Sequence, residues 1–173
     1  MILSKTVDLE NPFCVCSRNM RLKPKTEKGE VPLPWRIANE LGVENKIDMA
    51  NEIMGTEFAF QGELVGPGIN GNRDLYTKHE WHVFKVYDIK ARCYLLPDVA
   101  RKLCSDIGLA YVPVIEEEMP VFDWFWSADE LLAFTEGKTV RGHEREGLVF
   151  KSCDYPYVSF KAVSNRYLLK QEA

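Results

Sequence analysis

Apolar residues recur along this chain at two spacings, and the alternation of the two sets out its elements. The β-prone run Phe13–Ser17 predicts a strand, and the charged stretch that follows through Pro34 predicts a loop. Trp35, Ala38 and Leu41 stand at helical spacing before Gly42, and Ile47, Ala50 and Met54 do so before Gly55, so two short helices are expected. In Phe58-Ala59-Phe60-Gln61-Gly62-Glu63-Leu64-Val65 a period of two puts Phe58, Phe60 and Leu64 on one face of a strand and Gln61 and Glu63 on the other. Glu63 therefore projects from the polar side. Trp81–Ile89 carries aromatic and β-branched residues at both parities, the pattern of an interior strand covered on both faces. Pro97 opens a helix whose Val99, Ala100, Leu103, Cys104 and Ile107 form one stripe ending at Gly108. Ala110–Ile115 predicts a further strand. Ser127-Ala128-Asp129-Glu130 is a capping box ahead of Leu131, Leu132 and Phe134, with Gly137 as the stop. Gly147–Ser152 and Tyr157–Val163 predict two last strands, paired across Cys153–Pro156. The order of elements implies an α+β fold with largely antiparallel sheets.

Composition narrows the class. A chain of 173 residues fits one domain, and a domain of that size buries roughly 70% of its unfolded surface. Its 46% hydrophobic and 12% aromatic residues suit a packed core rather than a disordered chain. No run approaches the roughly 20 apolar residues that span a bilayer, and Met1–Lys5 is too short for a signal peptide, so a cytoplasmic location is expected. Cys14, Cys16, Cys93, Cys104 and Cys153 form an odd set without CxxC spacing, which predicts reduced structural thiols. Cys14 and Cys16, flanking Val15, share one face of their strand. His79, His82 and His143 lack the spacing of a histidine metal site, and no GxSxG elbow is present.

The net charge of −4 argues against a protein that coats nucleic acid nonspecifically, because such binding comes mostly from phosphate neutralisation. The distribution of charge is uneven. Pro113 to Glu136 holds seven acidic side chains and no Lys or Arg, whereas 137–170 holds Lys138, Arg141, Arg145, Lys151, Lys161, Arg166 and Lys170 against three acids. A second basic run is Arg18, Arg21, Lys23, Lys25 and Lys28. Brought together by the fold, the two runs would make a local phosphate site on an acidic body.

Gly66-Pro67-Gly68-Ile69-Asn70-Gly71 fits GxGxxG, but a dinucleotide loop must open a helix, and Asn72-Arg73-Asp74-Leu75-Tyr76 offers none. It predicts a glycine-rich loop after a site strand. The stronger signal is a series. In order come Ser17-Arg18-Asn19, Phe60-Gln61-Gly62-Glu63-Leu64-Val65-Gly66, Val83-Phe84-Lys85-Val86-Tyr87-Asp88-Ile89, Arg145-Glu146-Gly147-Leu148-Val149-Phe150-Lys151 and Ser159-Phe160-Lys161-Ala162-Val163-Ser164. This order and spacing resemble the ATP-dependent RNA ligase branch of the covalent nucleotidyltransferases, from about Cys14 to Lys170.

The resemblance implies a single partial nucleotidyltransferase (adenylation) domain over residues 1–173, with ATP and Mg²⁺ as cofactors and RNA ends, 5′-phosphate and 3′-hydroxyl, as partners in RNA repair. In such ligases a lysine attacks the α-phosphate of ATP, AMP passes to an RNA 5′-phosphate, and a 3′-hydroxyl displaces it. By the resemblance Arg18 would contact phosphate, Glu63 would accept hydrogen bonds from the ribose hydroxyls, and Phe84 would stack on adenine. Glu146 would help bind metal near the α-phosphate, and Lys151 and Lys161 would neutralise phosphates, Lys161 sharing a strand face with Ser159 rather than with Phe160. Glu146 and Lys161 are thus its candidate catalytic groups. The family usually carries an acidic residue where Lys85 stands.

The larger departure is at the start. The family's nucleophile lies in a Lys-x-Asp/Glu-Gly motif some tens of residues before Ser-Arg-Asn, and only sixteen residues precede Ser17. Lys5 is followed by Thr6, Val7 and Asp8 without a glycine, and on a frayed terminus it would lack the setting that lowers a lysine's pKa. The nucleophilic lysine is therefore expected to be absent and the chain unable to autoadenylate alone. Two readings stay open: a fragment or shortened relative of an RNA ligase, or a non-catalytic nucleotide- or RNA-end-binding relative, including one chain of a split ligase.

Overall fold

Ile2–Lys5 forms a strand, β1, that the apolar pattern does not announce. The structure, a computed structural model, describes residues 1–5 and 12–171. β1 lies inside an antiparallel five-stranded sheet ordered β2-β1-β3-β4-β5, with β2 Phe13–Cys16, β3 Phe58–Val65, β4 Glu80–Asp88 and β5 Cys93–Tyr94. The expectation of a frayed terminus is thereby corrected. Paired on both edges, the four residues leave few backbone groups unbonded.

The register explains the two faces of this sheet. Val15, Leu3, Phe60 and Val86 stand opposite one another across four strands and are all buried. The adjacent row, Cys16, Ile2, Gln61 and Lys85, is half-buried throughout and belongs to the other face. The helices α1 (Leu33–Glu40), α2 (Val43–Met54) and α3 (Pro97–Asp106) supply Ile37, Ala38, Val43, Ile47, Ala50, Ala100, Leu103 and Cys104 to the same core as the first row. Cys14 and Cys16 share a face as expected, and all five cysteines are free thiols.

Two expectations for the middle of the chain are corrected. Gln61 pairs with Lys85 and Gly62 with Val83, so Phe84 is an extra residue in β4, a β-bulge. Apolar residues fall on both parities because the bulge resets the alternation: Trp81, Val83 and Val86 face the core, while His82, Phe84, Lys85 and Tyr87 are half-buried. The strand is not covered on both faces. Ala110–Ile115 shrinks to a single parallel bridge, Val83 with Tyr111, made by Val83 N–H donating to the Ala110 carbonyl and Val112 N–H to that of Val83, each at 2.8 Å. Pro113 cannot donate the next ladder bond. The glycine-rich loop holds one 3₁₀ turn, Asn70–Asn72, and no helix, as expected.

By its contacts the chain divides into two units, Met1–Val112, which contains the sheet and helices above, and Pro113–Ala173. In the second, α4 (Val121–Trp124) precedes α5 (Ala128–Thr135), a two-stranded antiparallel sheet pairs β6 (Gly147–Lys151) with β7 (Ser159–Val163), and α6 (Asn165–Gln171) follows. The capping box is present: Ser127 Oγ accepts from Glu130 N–H at 3.2 Å, and the Glu130 carboxylate accepts from Trp126 N–H at 2.7 Å. α5 ends on a side chain. The Arg145 guanidinium donates to the carbonyls of Phe134, Thr135 and Glu136, each at 2.7 Å. Among the described residues no helix is long and apolar enough to cross a membrane.

Candidate functional site

Within Met1–Val112 three of the residues singled out from sequence lie near one cross-strand row of the sheet, Arg18 just past the end of β2 and Glu63 and Phe84 inside the β3–β4 pair. The row Cys16–Ile2–Gln61–Lys85 runs straight across four strands. One or two residues beyond it lie the turn after β2, Gly62 and Glu63 on β3, and the bulge of β4. Arg18 sits exposed in that turn, which Ser17 closes: its N–H donates to the Met20 carbonyl at 2.8 Å, and its hydroxyl accepts from Met20 N–H at 3.2 Å. A serine thus shapes the loop that presents the arginine.

Glu63 is exposed on the face opposite the core and stands across from His82. Its neighbour Gly62 faces the core, where the Trp81 indole and the His82 carbonyl fill the space a Cβ would need. The glycine before the glutamate is therefore a packing requirement. The ammonium of Met1 donates to the Gly62 carbonyl at 2.6 Å; burial lowers its pKa, while the charge of Glu63 raises it and that of Arg18 lowers it. Carboxylate and guanidinium thus act on the same point.

Phe84, in the bulge, is half-buried. Beside it Lys85 lies over the Tyr94 ring at 4.9 Å, and the Gln61 amide donates to the Tyr94 hydroxyl at 3.1 Å. Lys85, where an acid would be usual, is thus engaged with an aromatic ring. Sequence reasoning missed His82, Tyr94 and Tyr111 as neighbours of these residues, because cross-strand register, not spacing, places them there.

Lys5 is elsewhere. It shares the core face with Leu3, and its ammonium reaches α2, at 2.7 Å from Asp48 and 3.2 Å from Glu44. The hydrogen bond to Asp48 is the main cause of a raised pKa, the opposite of what a lysine nucleophile needs.

Within the second unit, Glu146 and Lys161 are in direct contact as an ion pair. β6–β7 pairing sets Val149 opposite Lys161 and Lys151 opposite Ser159, so both lysines occupy one face and Phe150 and Phe160, stacked at 4.7 Å, the other. Lys161 does share its face with Ser159. Gly147 has φ +153°, and a Cβ there would lie 2.8 Å from the Val163 Cα, so the glycine after Glu146 is required by the close approach of β7. Among the described residues no three His, Cys, Asp or Glu side chains cluster to hold a metal ion. The half-exposed carboxylate of Glu146 fits a hard divalent ion that takes its other ligands from phosphate and water. A concavity of about 380 Å³ beside α2 is lined by Asp48, Glu52, Glu57 and Lys90, a balance of charge that repels phosphates.

Comparison with known proteins gives a consistent result. The family described as RNA ligase matches residues 4–167 of the chain. Solved structures of a Naegleria gruberi RNA ligase superpose on it with a TM-score of 0.80 at 28% identity: a variant with AMP and manganese, another with ATP and manganese, and the ligase with pyrophosphate. Each match covers 99% of this chain and 48% of the Naegleria chain, so the chain spans about half the length of that relative. No curated protein sequence matches.

Proposed function

Because the chain belongs to the RNA ligase family, we propose that it holds ATP and the 5′-phosphate end of an RNA, that within Met1–Val112 Arg18, Glu63 and Phe84 serve a nucleotide, and that within Pro113–Ala173 Glu146, Lys151 and Lys161 serve phosphates and a metal ion. The observation that carries this reading is that Arg18, Glu63 and Phe84 all lie within two residues of the cross-strand row Cys16–Ile2–Gln61–Lys85. An aromatic face, a hydrogen-bond acceptor and a planar cation are the groups that a base, a ribose and a phosphate require. In the second unit Lys151 and Lys161 supply cations for the phosphates. Glu146 would hold a divalent ion, Mg²⁺ by preference, once phosphate oxygens displace its pairing with Lys161. Such an ion would stabilise charge at the α-phosphate.

The chain by itself is proposed not to autoadenylate, since Lys5 faces the helices with a raised pKa. Two measurements test the reading. Calorimetric titration should show ATP binding that Glu63→Ala and Phe84→Ala each weaken about 5- to 100-fold; no binding to the unmutated chain would count against it. Incubation with ATP and Mg²⁺ should leave the intact mass unchanged, and an added AMP would overturn the second part. The same Lys5 geometry favours a second reading, a binding relative or one chain of a split ligase. It is supported if a separate polypeptide bearing a Lys-x-Asp/Glu-Gly segment restores adenylation when mixed with this chain.

A further inference from the structure

Lys85 holds its charge differently from the paired lysines of this chain. Lys5, Lys102 and Lys161 spend their ammonium groups on carboxylates, and Lys46 donates to the Gly108 carbonyl at 2.7 Å. Lys85 is half-buried, no carboxylate is paired with it among the described residues, and its Nζ stands 4.9 Å from the centroid of the Tyr94 ring. We propose that Lys85 is a phosphate-binding residue of the candidate site and that the Tyr94 ring positions its ammonium. The ligand is a phosphate group carried by the nucleotide or by the RNA end, so the proposal rests on the reading that the chain holds ATP and an RNA 5′-phosphate.

Position is the first ground. Lys85 pairs across the strands with Gln61, on the face turned away from Val86 and the core, and Glu63 follows on that face two residues along β3, roughly 7 Å further on. A sugar bonded to Glu63 therefore carries its phosphate near a cation that stands one step along the same face. The support is the second ground. Tyr94 is fixed at three points: its backbone pairs with Tyr87, its ring meets the Tyr87 ring edge-on at 5.1 Å, and its hydroxyl accepts from the Gln61 amide at 3.1 Å. The last bond draws the ring toward the Gln61–Lys85 pair, and the ring face attracts the ammonium without neutralising it. Availability is the third. An ammonium on a ring keeps its charge and, with three N–H donors, has donors left for an anion, whereas an ion-paired lysine must first give up its carboxylate. Half-burial also strengthens its pull on a phosphate, because the surrounding dielectric is lower than that of water.

The experiment is calorimetric titration of the full chain and its variants with ATP, with inorganic tripolyphosphate, and with a short RNA bearing either a 5′-phosphate or a 5′-hydroxyl. Lys85→Met keeps most of the stem and removes the charge. It should weaken phosphate binding about 5- to 50-fold, read with ATP and tripolyphosphate if the nucleotide supplies the phosphate and with the 5′-phosphate RNA if the RNA end does. The 5′-hydroxyl RNA should bind as before, and Lys85→Arg, which keeps a cation able to lie on the ring, should recover most of the affinity. Tyr94→Leu removes the ring and should reproduce part of the loss, and Tyr94→Phe, which keeps the ring, less of it. If Lys85→Met leaves every affinity unchanged, or weakens the 5′-hydroxyl RNA as much as the phosphorylated ligands, the proposal falls while the reading of the nucleotide site stands. Equal binding by Tyr94→Leu and the unmutated chain would overturn the role of the ring. If the unmutated chain binds neither ATP nor the 5′-phosphate RNA, that reading falls and the proposal with it.

Discussion

An ideal Cβ at Gly62 would lie 2.6 Å from the His82 carbonyl oxygen and closer still to the Trp81 indole, which is only 2% exposed and has no room to move. Gly62→Ala must therefore spread β3 from β4 or push the indole into the core. Overpacking of this kind costs about 1–3 kcal/mol. Because Glu63 is the next residue, the same change should weaken ATP binding. A urea midpoint equal to that of the unmutated chain would show that the strands have more slack than the structure allows. Lys5 makes a different prediction. Its pKa is higher in the folded state than its ordinary 10.5, so its bonds to Asp48 and Glu44 stabilise fully below that value and fade as pH rises through the raised one. With its partners half-exposed the bridge contributes about 0.2–1 kcal/mol. Lys5→Met should lower the urea midpoint by a constant amount between about pH 7 and 9 and by less in stronger base. The reverse trend would mean that the pKa is lowered. Sequence shows that Lys5 lacks a following glycine; that it faces α2 follows only from its parity with Leu3 in a strand too short to carry a pattern.

At the level of elements, what was legible is what depends on neighbours in sequence. The Phe58–Val65 strand, the helix after Pro97 and the capped helix at Ala128 follow from periodicity, caps and stops, and the structure places each within a residue or two. The β4 bulge, β1 and the reduction of Ala110–Ile115 to one bridge depend on pairing between distant segments, and no local pattern encodes them. α5 combines both. Its N-cap is written in Ser127 and Glu130, whereas its C-terminal cap comes from Arg145, ten residues after Thr135. The planar fork of Arg145 serves three carbonyls at once, and its partial burial costs it some solvation, seen as a lowered pKa. Arg145→Ala should leave those acceptors without their donor and cost about 1–3 kcal/mol by chemical denaturation. Arg145→Lys should recover little, because an ammonium cannot reproduce the fork. Full recovery by lysine would mean that charge alone caps the helix. Since Glu146 is the next residue, the cap also bears on how the candidate metal ligand is held.

Over the whole molecule, apolar burial is unevenly shared. Every member of the buried apolar cluster belongs to Met1–Val112, where the sheet row Val15–Leu3–Phe60–Val86 meets the three helices. Among the described residues of Pro113–Ala173 only Thr135, Ala162 and Ser164 are fully buried, while Phe122 and Trp126 are 96% and 90% exposed. A unit of that size with a two-stranded sheet has too little buried area to offset its conformational entropy. Composition hides this contrast: the segment from Pro113 is rich in aromatics, yet its aromatics do not form a core. The consequence is testable by cutting the chain between Val112 and Pro113. Residues 1–112 should fold alone and melt in one cooperative transition, with Tyr111 still bonded to the bulge, whereas 113–173 alone should show no cooperative melt by circular dichroism. A sharp transition in the isolated second piece would mean that its exposed aromatics find a packing of their own. Loss of cooperativity in the first piece would mean that its core depends on the rest of the chain.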